Sequence, residues 1–263
     1  MPPTSPTVQT APLPQTASTV PGLPAGRIGI VAAMPGEITA LLDTMRSQHA
    51  VESRRIGQRE FYTGELFGQR CVVVLAGVGK VAAAITATTM LHVFDLAALV
   101  FVGVAGGIAH DIAVGDVVVA DTVLQHDLDA SPLFPRFEVP LLGVSRFASS
   151  PALTDALARA AERFLAGIGT GRLHRGLVIS GDQFVASAAH VRTLRESLPD
   201  AIAVEMEGAA IGQVCDAFGM PFAVLRIISD AADGEAGHDF PRFLEDHASG
   251  YSLGIVRHFL SAD

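Results

Sequence analysis

Residues 71–90 read CVVVLAGVGKVAAAITATTM, an apolar run followed by a glycine turn and an alanine-rich stretch. The run at 71–75 has the length and valine content of a buried strand, and the stretch at 80–94 is predicted to be a helix. The same order of apolar strand, polar or glycine-rich turn and helix recurs from Arg27 onward. This alternation predicts a single α/β domain with a central mixed, mostly parallel twisted sheet flanked by helices on both faces.

The predicted strands share apolar, often β-branched residues, and they lie at 27–34, 53–56, 60–66, 71–75, 97–102, 117–120, 177–180, 201–204 and 221–228. Predicted helices begin at Pro35 and cover 80–94, 151–166, 188–198 and 208–218, and the last begins near Phe240 or Pro241. Residues 129–147 contain three prolines and are predicted to form a loop. Ligands of such sheets bind beyond the carboxyl ends of the strands, so a site is expected there.

Composition narrows the class of protein. The chain has 263 residues, of which 49% are hydrophobic and 17% are charged, which suits a large buried core. A net charge of -9 without a cluster of Lys or Arg argues against nucleic acid and anionic membranes as partners. No run approaches the roughly 18 apolar residues of a membrane span. Cys71 and Cys215 lie in apolar surroundings and are interpreted as buried free thiols, which fits a reducing cytoplasm.

The first 26 residues differ from the remainder of the chain. They contain no charged residue and are rich in Pro, Thr, Ser and Ala. A segment of this composition cannot bury enough apolar surface to order itself. We therefore expect a disordered N-terminal tail at 1–26 and one domain at 27–263.

Three carboxylates, Glu37, Glu207 and Asp230, stand at predicted strand ends. Two of them have an ordinary structural interpretation, since Glu37 suits the first turn of a helix and Asp230 suits a turn or an N-cap. Glu205 and Glu207 lie in an otherwise apolar stretch, and a carboxylate at the edge of a buried strand must be paired or used. Three carboxylates at the same edge of one sheet favour a functional site.

Two other motifs have a functional interpretation that their surroundings disfavour. GVGKVAA at 77–83 is close to the dinucleotide fingerprint, but no acidic residue ends a next strand about 20 positions on, so a tightly packed turn is favoured. His126, Asp127 and Asp129 suggest a metal site, yet no second histidine stands at ligand spacing, and a solvated loop is favoured. Neither a cofactor nor a metal is expected.

Seven segments share their order and spacing with a known family: IGIVAAMPGE at 28–37, AGVGKVAAA at 76–84, GVAGGI at 103–108, VGDVVVAD at 114–121, GLVISGDQF at 176–184, AIAVEMEGAAI at 201–211 and RIISDAAD at 226–233. Over about 28–260 the chain resembles the 5′-methylthioadenosine/S-adenosylhomocysteine nucleosidases of the purine nucleoside phosphorylase superfamily. The resemblance implies a nucleoside phosphorylase-like fold, hydrolysis of an adenine nucleoside without cofactor or metal, and a cytoplasmic homodimer. The partner subunit would supply apolar residues near 133–137 to the 5′ end of the site.

The resemblance also implies catalytic roles for five residues. Glu37 matches the glutamate that positions and deprotonates the attacking water, and Arg226 matches an arginine near that water. Asp230 matches the aspartate that protonates the purine at N7, with Ser229 beside it. Glu207 matches the glutamate that binds the ribose hydroxyls. Because Asp230 has to hold a proton near neutral pH, we expect burial to raise the pKa of its carboxyl.

Other positions are expected to contact the nucleoside. Phe184 matches the aromatic residue that stacks on the base, Val185 the residue whose backbone binds the base edge, and Met206 the methionine against the sugar. Phe240 is a further aromatic residue over the base. The remaining residues expected to bind substrate lie at strand ends, and they are Met34, Val104, Ala105, Gly106 and Glu205.

The chain departs from the family pattern in two places. Val104 stands where the family usually has Ser or Thr in its G-[ST]-A-G-G segment, so a hydroxyl near the sugar and the water is missing. The loop SPLFPRFEVPLLGV at 131–144 also differs from the expected versions. Both departures bear on the shape of the site and on the range of nucleosides that it accepts.

Three alternatives to this hydrolase remain. A phosphorylase needs cationic or backbone donors for its anion, commonly two or more arginines, and the loops at 34–37 and 76–80 offer only Lys80 as a cation. The second alternative is a hydrolase of another nucleoside such as futalosine, because Asp230 can protonate N7 of the futalosine base as well as N7 of adenine. The third, from another class, is a non-catalytic nucleoside-binding protein, which the intact set of three carboxylates disfavours.

Overall fold

The structure is a computed structural model that describes residues 23–261. Along these residues the strands of one sheet alternate with helices. The strands are β1 (Arg27–Ala32), β2 (Glu52–Ile56), β3 (Arg59–Leu66), β4 (Gln69–Leu75), β5 (Leu96–Gly107), β6 (Val117–Gln125), β7 (Arg146–Ala148), β8 (Leu173–Ser180), β9 (Ala201–Glu205) and β10 (Phe222–Asp230). The helices are α1 (Pro35–Gln48), α2 (Lys80–Val93), α3 (Pro151–Ile168), α4 (Ala188–Ser197), α5 (Gly208–Ala217), α6 (Ala236–Phe243) and α7 (Ser249–Leu260), with a π-helical turn (Leu244–Ala248) between the last two.

The sheet is mixed, and part of it closes into a ring. Parallel pairings join β4, β1, β5 and β10, and also β6, β8 and β9. The pairings β2–β3, β3–β4, β5–β9, β6–β7 and β6–β10 are antiparallel. Because β10 pairs with both β5 and β6, the strands β5, β10, β6, β8 and β9 form a closed circuit. The predicted α/β class with a mixed sheet is confirmed, and the ring brings the carboxyl ends of several strands to one place.

Helices cover both faces of the sheet, as predicted. On one face the core consists of aliphatic residues of the strands packed against α1, α3 and α7. On the other face α2 and α5 pack their alanines and Met90 on the sheet. Cys71 and Cys215 are buried free thiols in these two cores. No helix within 23–261 combines the length and the apolar character needed to cross a membrane.

Strand β5 is longer than predicted at its carboxyl end. The prediction placed a turn at 103–107, but the strand continues to Gly107. The reason is pairing on both sides, because Gly103 and Gly106 face Arg226 and Asp230 of β10, and Gly106 also faces Val204 of β9. Small residues allow this close approach. Strand β10 likewise runs through Asp230 rather than ending at Ile228.

The last part of the chain also differs from its prediction. Helix α6 begins at Ala236, so Pro241 lies inside it rather than at its start. Proline removes the bond to the carbonyl four residues earlier, and here that residue is Gly237, which is exposed and can bond to water. The predicted tail at 1–26 lies outside the described residues up to position 22, and Leu23 is buried against the core.

Candidate active site

A cleft of about 550 Å³, partly open to solvent, lies at the carboxyl ends of β1, β5, β8, β9 and β10. Its lining residues are Ala33, Met34, Glu37, Val78, Val104, Ala105, Gly106, Gln183, Phe184, Val185, Val204, Glu205, Met206, Glu207, Ser229, Asp230 and Phe240. Every residue that the sequence placed in the site lines this cleft except Arg226, which is buried and bonded to Glu205. The strand ends thus contribute to one cavity.

Glu37 stands in the first turn of α1 and is 3% exposed. Its Oε2 accepts hydrogen bonds from the N–H groups of Ala33 and Met34, both at 2.8 Å, which is an ordinary way to cap a helix. Its Oε1 accepts from the Val104 N–H of β5 at 2.9 Å, so the carboxylate also reaches the opposite strand. Burial raises the pKa of Glu37, while the charge of Arg226 and the three N–H groups act to lower it.

Arg226 and Glu205 form a buried ion pair next to the cleft. The Arg226 Nη2 donates to Oε2 of Glu205 at 2.7 Å, and its guanidinium lies 3.8 Å from the centroid of the Phe101 ring. Glu205 also accepts from the Ser180 hydroxyl and from the first N–H groups at the start of α5. Both carboxylate oxygens of Glu205 therefore already accept hydrogen bonds from the protein. We interpret Glu205 as a residue that holds Arg226 in place.

Glu207 follows β9, and its Oε1 accepts from the Gly79 N–H at 2.7 Å. Burial and the charge of Glu205 raise the pKa of Glu207 to about 8, against the lowering effects of the Gly79 N–H and of Arg226. The raised pKa favours the protonated form of the Glu207 carboxyl. Hydroxyl donors of a bound sugar would stabilise its anion.

Asp230 ends β10 and is 2% exposed. Its Oδ2 accepts from the Ser229 hydroxyl at 2.8 Å, and its Oδ1 accepts from the Ala232 N–H at 2.8 Å. Burial raises the pKa of the Asp230 carboxyl; these two bonds lower it, and the charges of Asp233 and Asp239 raise it further. The direction is the one that the sequence predicted for a proton donor.

Two glycines of β5 make room for the two outer carboxylates. A Cβ atom at Gly103 would lie 2.5 Å from Oε1 of Glu37, and one at Gly106 would lie 3.0 Å from Oδ1 of Asp230. Two residues of extended strand lie between these glycines, whose Cα atoms are therefore about 10 Å apart. The glycines allow the strand to pass close to both carboxyl groups.

The remaining wall of the cleft is apolar and partly aromatic. Phe184 and Phe240 meet edge to face with ring centroids 5.4 Å apart, and Phe184 is 48% exposed. Val185 is buried beside them, and Met34 and Met206 also line the cavity. An apolar surface with exposed aromatic rings suits a flat base and the sugar attached to it.

Val104 shows what the departure from the family pattern changes. Its side chain packs in a small apolar cluster with Ile227 and Phe243. Its backbone N–H still donates to Glu37. The wall of the cleft thus has a valine side chain without a hydroxyl at this position, while the backbone donor to the Glu37 carboxylate is present.

Sequence reasoning missed several lining residues. Ala33, Val78, Gln183 and Val204 carry no chemistry that marks them, and only their places next to predicted site residues could have identified them. Gly79 was interpreted as part of a packing turn, yet its N–H is the partner of Glu207. The glycine turn at a strand end was the available signal, because such turns present backbone donors to anions.

The predicted solvated loop at 126–129 is wrong for two of its three residues. His126 is buried, and Asp127 is 19% exposed and paired with Lys80 at 2.6 Å. Burial beneath the loop at 181–187 explains this, since a Cβ atom at Gly181 would overlap the His126 ring. Asp129 is half-exposed, as expected. Across 23–261 the structure has no group of three or more His, Cys, Asp or Glu side chains that could hold a metal ion.

Comparisons with known proteins agree with this geometry. A sequence model described as the Phosphorylase superfamily matches residues 27–261. The 5′-methylthioadenosine/S-adenosylhomocysteine nucleosidase of Actinobacillus succinogenes is 38% identical, over 83% of this chain and 91% of its own length. The protein of that name from Shewanella piezotolerans is 36% identical, over 83% and 92%.

Solved structures extend the likeness to three dimensions. The 5′-methylthioadenosine/S-adenosylhomocysteine nucleosidase from Neisseria meningitidis, solved with methylthio-immucillin-A, has a TM-score of 0.83 and 35% identity, covering 90% of this chain and 100% of that one. A futalosine hydrolase of Helicobacter pylori has a TM-score of 0.79 and 34% identity, covering 89% and 97%. The chain therefore belongs to the phosphorylase superfamily and, within it, to the family of the 5′-methylthioadenosine/S-adenosylhomocysteine nucleosidases.

Proposed function

We propose that this chain hydrolyses the N-glycosidic bond of an adenine nucleoside, such as 5′-methylthioadenosine or S-adenosylhomocysteine, to adenine and a 5-substituted ribose. The curated relatives and the solved neighbours that bear this activity in their names support the proposal. The observation in this chain that carries it is the cleft itself, which pairs an aromatic wall with four carboxyl groups at its other sides.

Asp230 is the proposed general acid. Loss of a purine from C1′ leaves the bonding electrons on the base, and protonation at N7 makes that base a better leaving group. A buried carboxyl with two acidic neighbours retains its proton more readily than an exposed one, and Asp230 has such surroundings. The proton moves from Asp230 to N7 as the bond between C1′ and N9 breaks.

Glu37 is the proposed base that activates water. As the sugar gains oxocarbenium character, water attacks C1′ and gives a proton to Glu37. The three N–H donors hold the Glu37 carboxylate in one orientation, and the buried Arg226 contributes a positive charge beside it. Glu207 would accept the ribose hydroxyls, and its anion would then lie close to the developing positive charge of the sugar.

Hydrolysis is favoured over phosphorolysis by the charges of the cleft. Among the described residues, the lining includes Glu37, Glu205, Glu207 and Asp230 but neither Lys nor Arg. The nearby cations are already paired, Arg226 with Glu205 and Lys80 with Asp127. A phosphate ion would meet negative charge without an available cation to bind it, whereas neutral water would not.

A homodimer in a reducing cytoplasm is part of the same proposal. Val81 and Ile85 lie one turn apart on α2, near the cleft residue Val78, and they are 71% and 51% exposed. Leu133 and Leu141 of the loop at 131–144 are 84% and 93% exposed. Contiguous apolar patches mark interfaces, and we expect these side chains to form one that a second copy of the chain covers. Light scattering should then report twice the mass of 27.4 kDa, and Val81→Asp should reduce that mass by half.

The experiment that tests the activity is an assay of released base. The protein is incubated with methylthioadenosine, S-adenosylhomocysteine, adenosine, inosine and futalosine, with and without phosphate. We expect free adenine from the two thioether nucleosides at a rate that phosphate leaves unchanged. Turnover that requires phosphate would contradict hydrolysis. A preference for futalosine would indicate a futalosine hydrolase, and no turnover of any nucleoside would indicate a binding protein.

A further inference from the structure

Three residues from separate strand ends meet at the rim of the cleft. Lys80 begins α2 after the glycine turn, Asp127 follows β6, and Asp182 follows β8. The glycine turn is predicted to serve packing and Asp127 to lie in a solvated loop, and the proposed chemistry uses none of the three residues. Their contacts nevertheless form a continuous connection between two parts of the site.

The three residues are joined by a closed circuit of hydrogen bonds. The Lys80 N–H donates to Oδ1 of Asp182 at 2.7 Å, and the Asp182 N–H donates to Oδ2 of Asp127 at 2.9 Å. The Lys80 Nζ donates to Oδ1 of Asp127 at 2.6 Å and also to Gln125 at 3.1 Å. The Lys80 and Asp127 side chains are only 17% and 19% exposed, so water competes weakly for this pair.

Each part of the circuit is attached to a different element of the cleft. Lys80 directly follows Gly79, whose N–H donates to the Oε1 of Glu207 on the ribose side. Asp182 directly precedes the segment 183–185, which lines the base side with Phe184. A Cβ atom at Gly79 would lie 3.0 Å from Oδ1 of Asp182, so the glycine turn and the base-side loop are in close contact.

The charge state of Asp127 agrees with a permanent pair. Burial by itself raises the pKa of the Asp127 carboxyl, but the bonds from the Lys80 ammonium and the Asp182 N–H outweigh burial and hold the pKa below its ordinary value. The lowered pKa favours the Asp127 carboxylate that the pair with Lys80 requires.

We propose that Lys80, Asp127 and Asp182 are positioning residues that hold the glycine turn against the base-side loop, so that Glu207 meets the ribose hydroxyls while the base lies on Phe184. The inference rests on the proposed function and deepens it, because it assigns ribose recognition to a contact that lies outside the cleft. A loosened circuit would let the Gly79 N–H and Glu207 shift by a fraction of an ångström, and such shifts cost activity steeply.

The test compares two substrates that differ in one hydroxyl, methylthioadenosine and its 2′-deoxy analogue. For Lys80→Met we expect kcat/KM on methylthioadenosine to fall about 10-fold to 100-fold. The 2′-deoxy analogue lacks the hydroxyl that Glu207 would bind, so its kcat/KM should fall much less. Lys80→Arg should recover most of the lost preference for methylthioadenosine over the 2′-deoxy analogue, because it retains a cation that can reach Asp127.

Two further variants complete the design. Asp182→Ala removes the acceptor of the Lys80 N–H from an exposed position. It should likewise lower kcat/KM more on methylthioadenosine than on the 2′-deoxy analogue. Asp200→Asn breaks the exposed pair between Arg146 and Asp200, at the start of β9 and so at the opposite end of that strand from the cleft, and serves as the matched control. We expect the control to keep wild-type kinetics on both substrates.

Three results would overturn the inference. Equal losses on both substrates in Lys80→Met and Asp182→Ala would mean that the circuit supports the fold without positioning Glu207. Unchanged kinetics in both variants would mean that the circuit has no role in the site. A wild-type protein that cleaves neither nucleoside would contradict the proposed function itself, and that failure is recognised before any variant is made.

Discussion

Glu37 and Asp230 are both buried carboxyl groups on the wall of one cleft, but their surroundings carry opposite charge. Glu37 accepts three backbone N–H groups and lies near the Arg226 guanidinium. Asp230 accepts one N–H and one hydroxyl, and the charges nearest to it are those of Asp233 and Asp239. Burial raises the pKa of both carboxyls, so burial alone does not distinguish a base from an acid.

Under the proposed function, neighbouring charge assigns the roles of base and acid to the two carboxyl groups. A cation and several donors stabilise the anion that a base requires, and additional carboxylates stabilise the protonated form that an acid requires. One kind of side-chain group, the carboxyl, would thus serve two functions. Each variant below alters one of the two carboxyls or its surroundings.

The largest effect is expected from replacing the acid itself. Asp230→Asn retains the size of the side chain but cannot transfer a proton to N7. We expect kcat to fall by about 10³-fold to 10⁴-fold, as for loss of a general acid, while the circular dichroism spectrum stays unchanged. The release of adenine from methylthioadenosine measures this. Activity within tenfold of wild type would remove Asp230 from the role of acid.

Removal of the cation should make the Glu37 region resemble the Asp230 region. Arg226→Met leaves Glu205 buried without its partner, so the free energy of unfolding should fall by about 3–5 kcal/mol. Because Arg226 lowers the pKa of Glu37, the acidic limb of the pH–rate profile should move to higher pH, and kcat/KM should fall about 10²-fold.

Denaturant titration and the pH profile of the variant measure both effects. Arg146→Met breaks the exposed pair with Asp200 and is the control, for which we expect a loss of less than about 1 kcal/mol. An acidic limb that does not move in Arg226→Met would show that the guanidinium does not act on Glu37.

The two glycines of β5 allow the regions to be disturbed by one methyl group each. The Cβ atom of Gly103→Ala would lie 2.5 Å from Glu37 and must displace it, so kcat/KM should fall about 10²-fold. In Gly106→Ala the nearest contacts, with Oδ1 of Asp230 and with the Cβ atom of Ala232, are both 3.0 Å, and a smaller shift relieves them, so we expect a loss of about tenfold. Gly167→Ala on α3, with open space around it, should retain full activity. The reverse order of the first two losses would contradict the geometry of the cleft.

The smallest effect is expected from a single hydroxyl beside the acid. Ser229→Ala removes a donor that lowers the pKa of Asp230, so the pKa rises and Asp230 keeps its proton to higher pH. The alkaline limb of the pH–rate profile should move up by about one pH unit, with kcat at pH 7 changed only a few-fold. A shift to lower pH would mean that the hydroxyl stabilises the protonated acid instead.

Much of this cleft could be predicted from the sequence because its carboxylates follow apolar runs. Glu37, Glu207 and Asp230 were placed at strand ends, and the parallel pairing of β1, β5 and β10 brings such ends together. The ring that joins β5 to β9 and β6 to β10 could not be predicted, since those pairings connect segments far apart in the chain. The start of α6 was missed because proline usually marks the first turn of a helix.

Contacts made by the backbone also could not be predicted from the sequence. The N–H groups of Gly79 and Val104 bind Glu207 and Glu37, and a backbone donor has no signature of residue type. The circuit of Lys80, Asp127 and Asp182 was missed for a related reason, because its members come from three strand ends that are distant in sequence. Such contacts depend on the register of the folded sheet.

The pH dependence of kcat/KM in three proteins tests the central claim most directly. The wild type should give a bell, because Glu37 must be ionised and Asp230 must be protonated. Glu37→Gln should lose the Glu37 step of the acidic limb, so that any step left there belongs to Glu207, and it should keep the alkaline limb. The residual activity of Asp230→Asn should keep the acidic limb and lose the alkaline one. If the variants lost the opposite limbs, or if both kept the full bell, neighbouring charge would not assign these two carboxyls their roles.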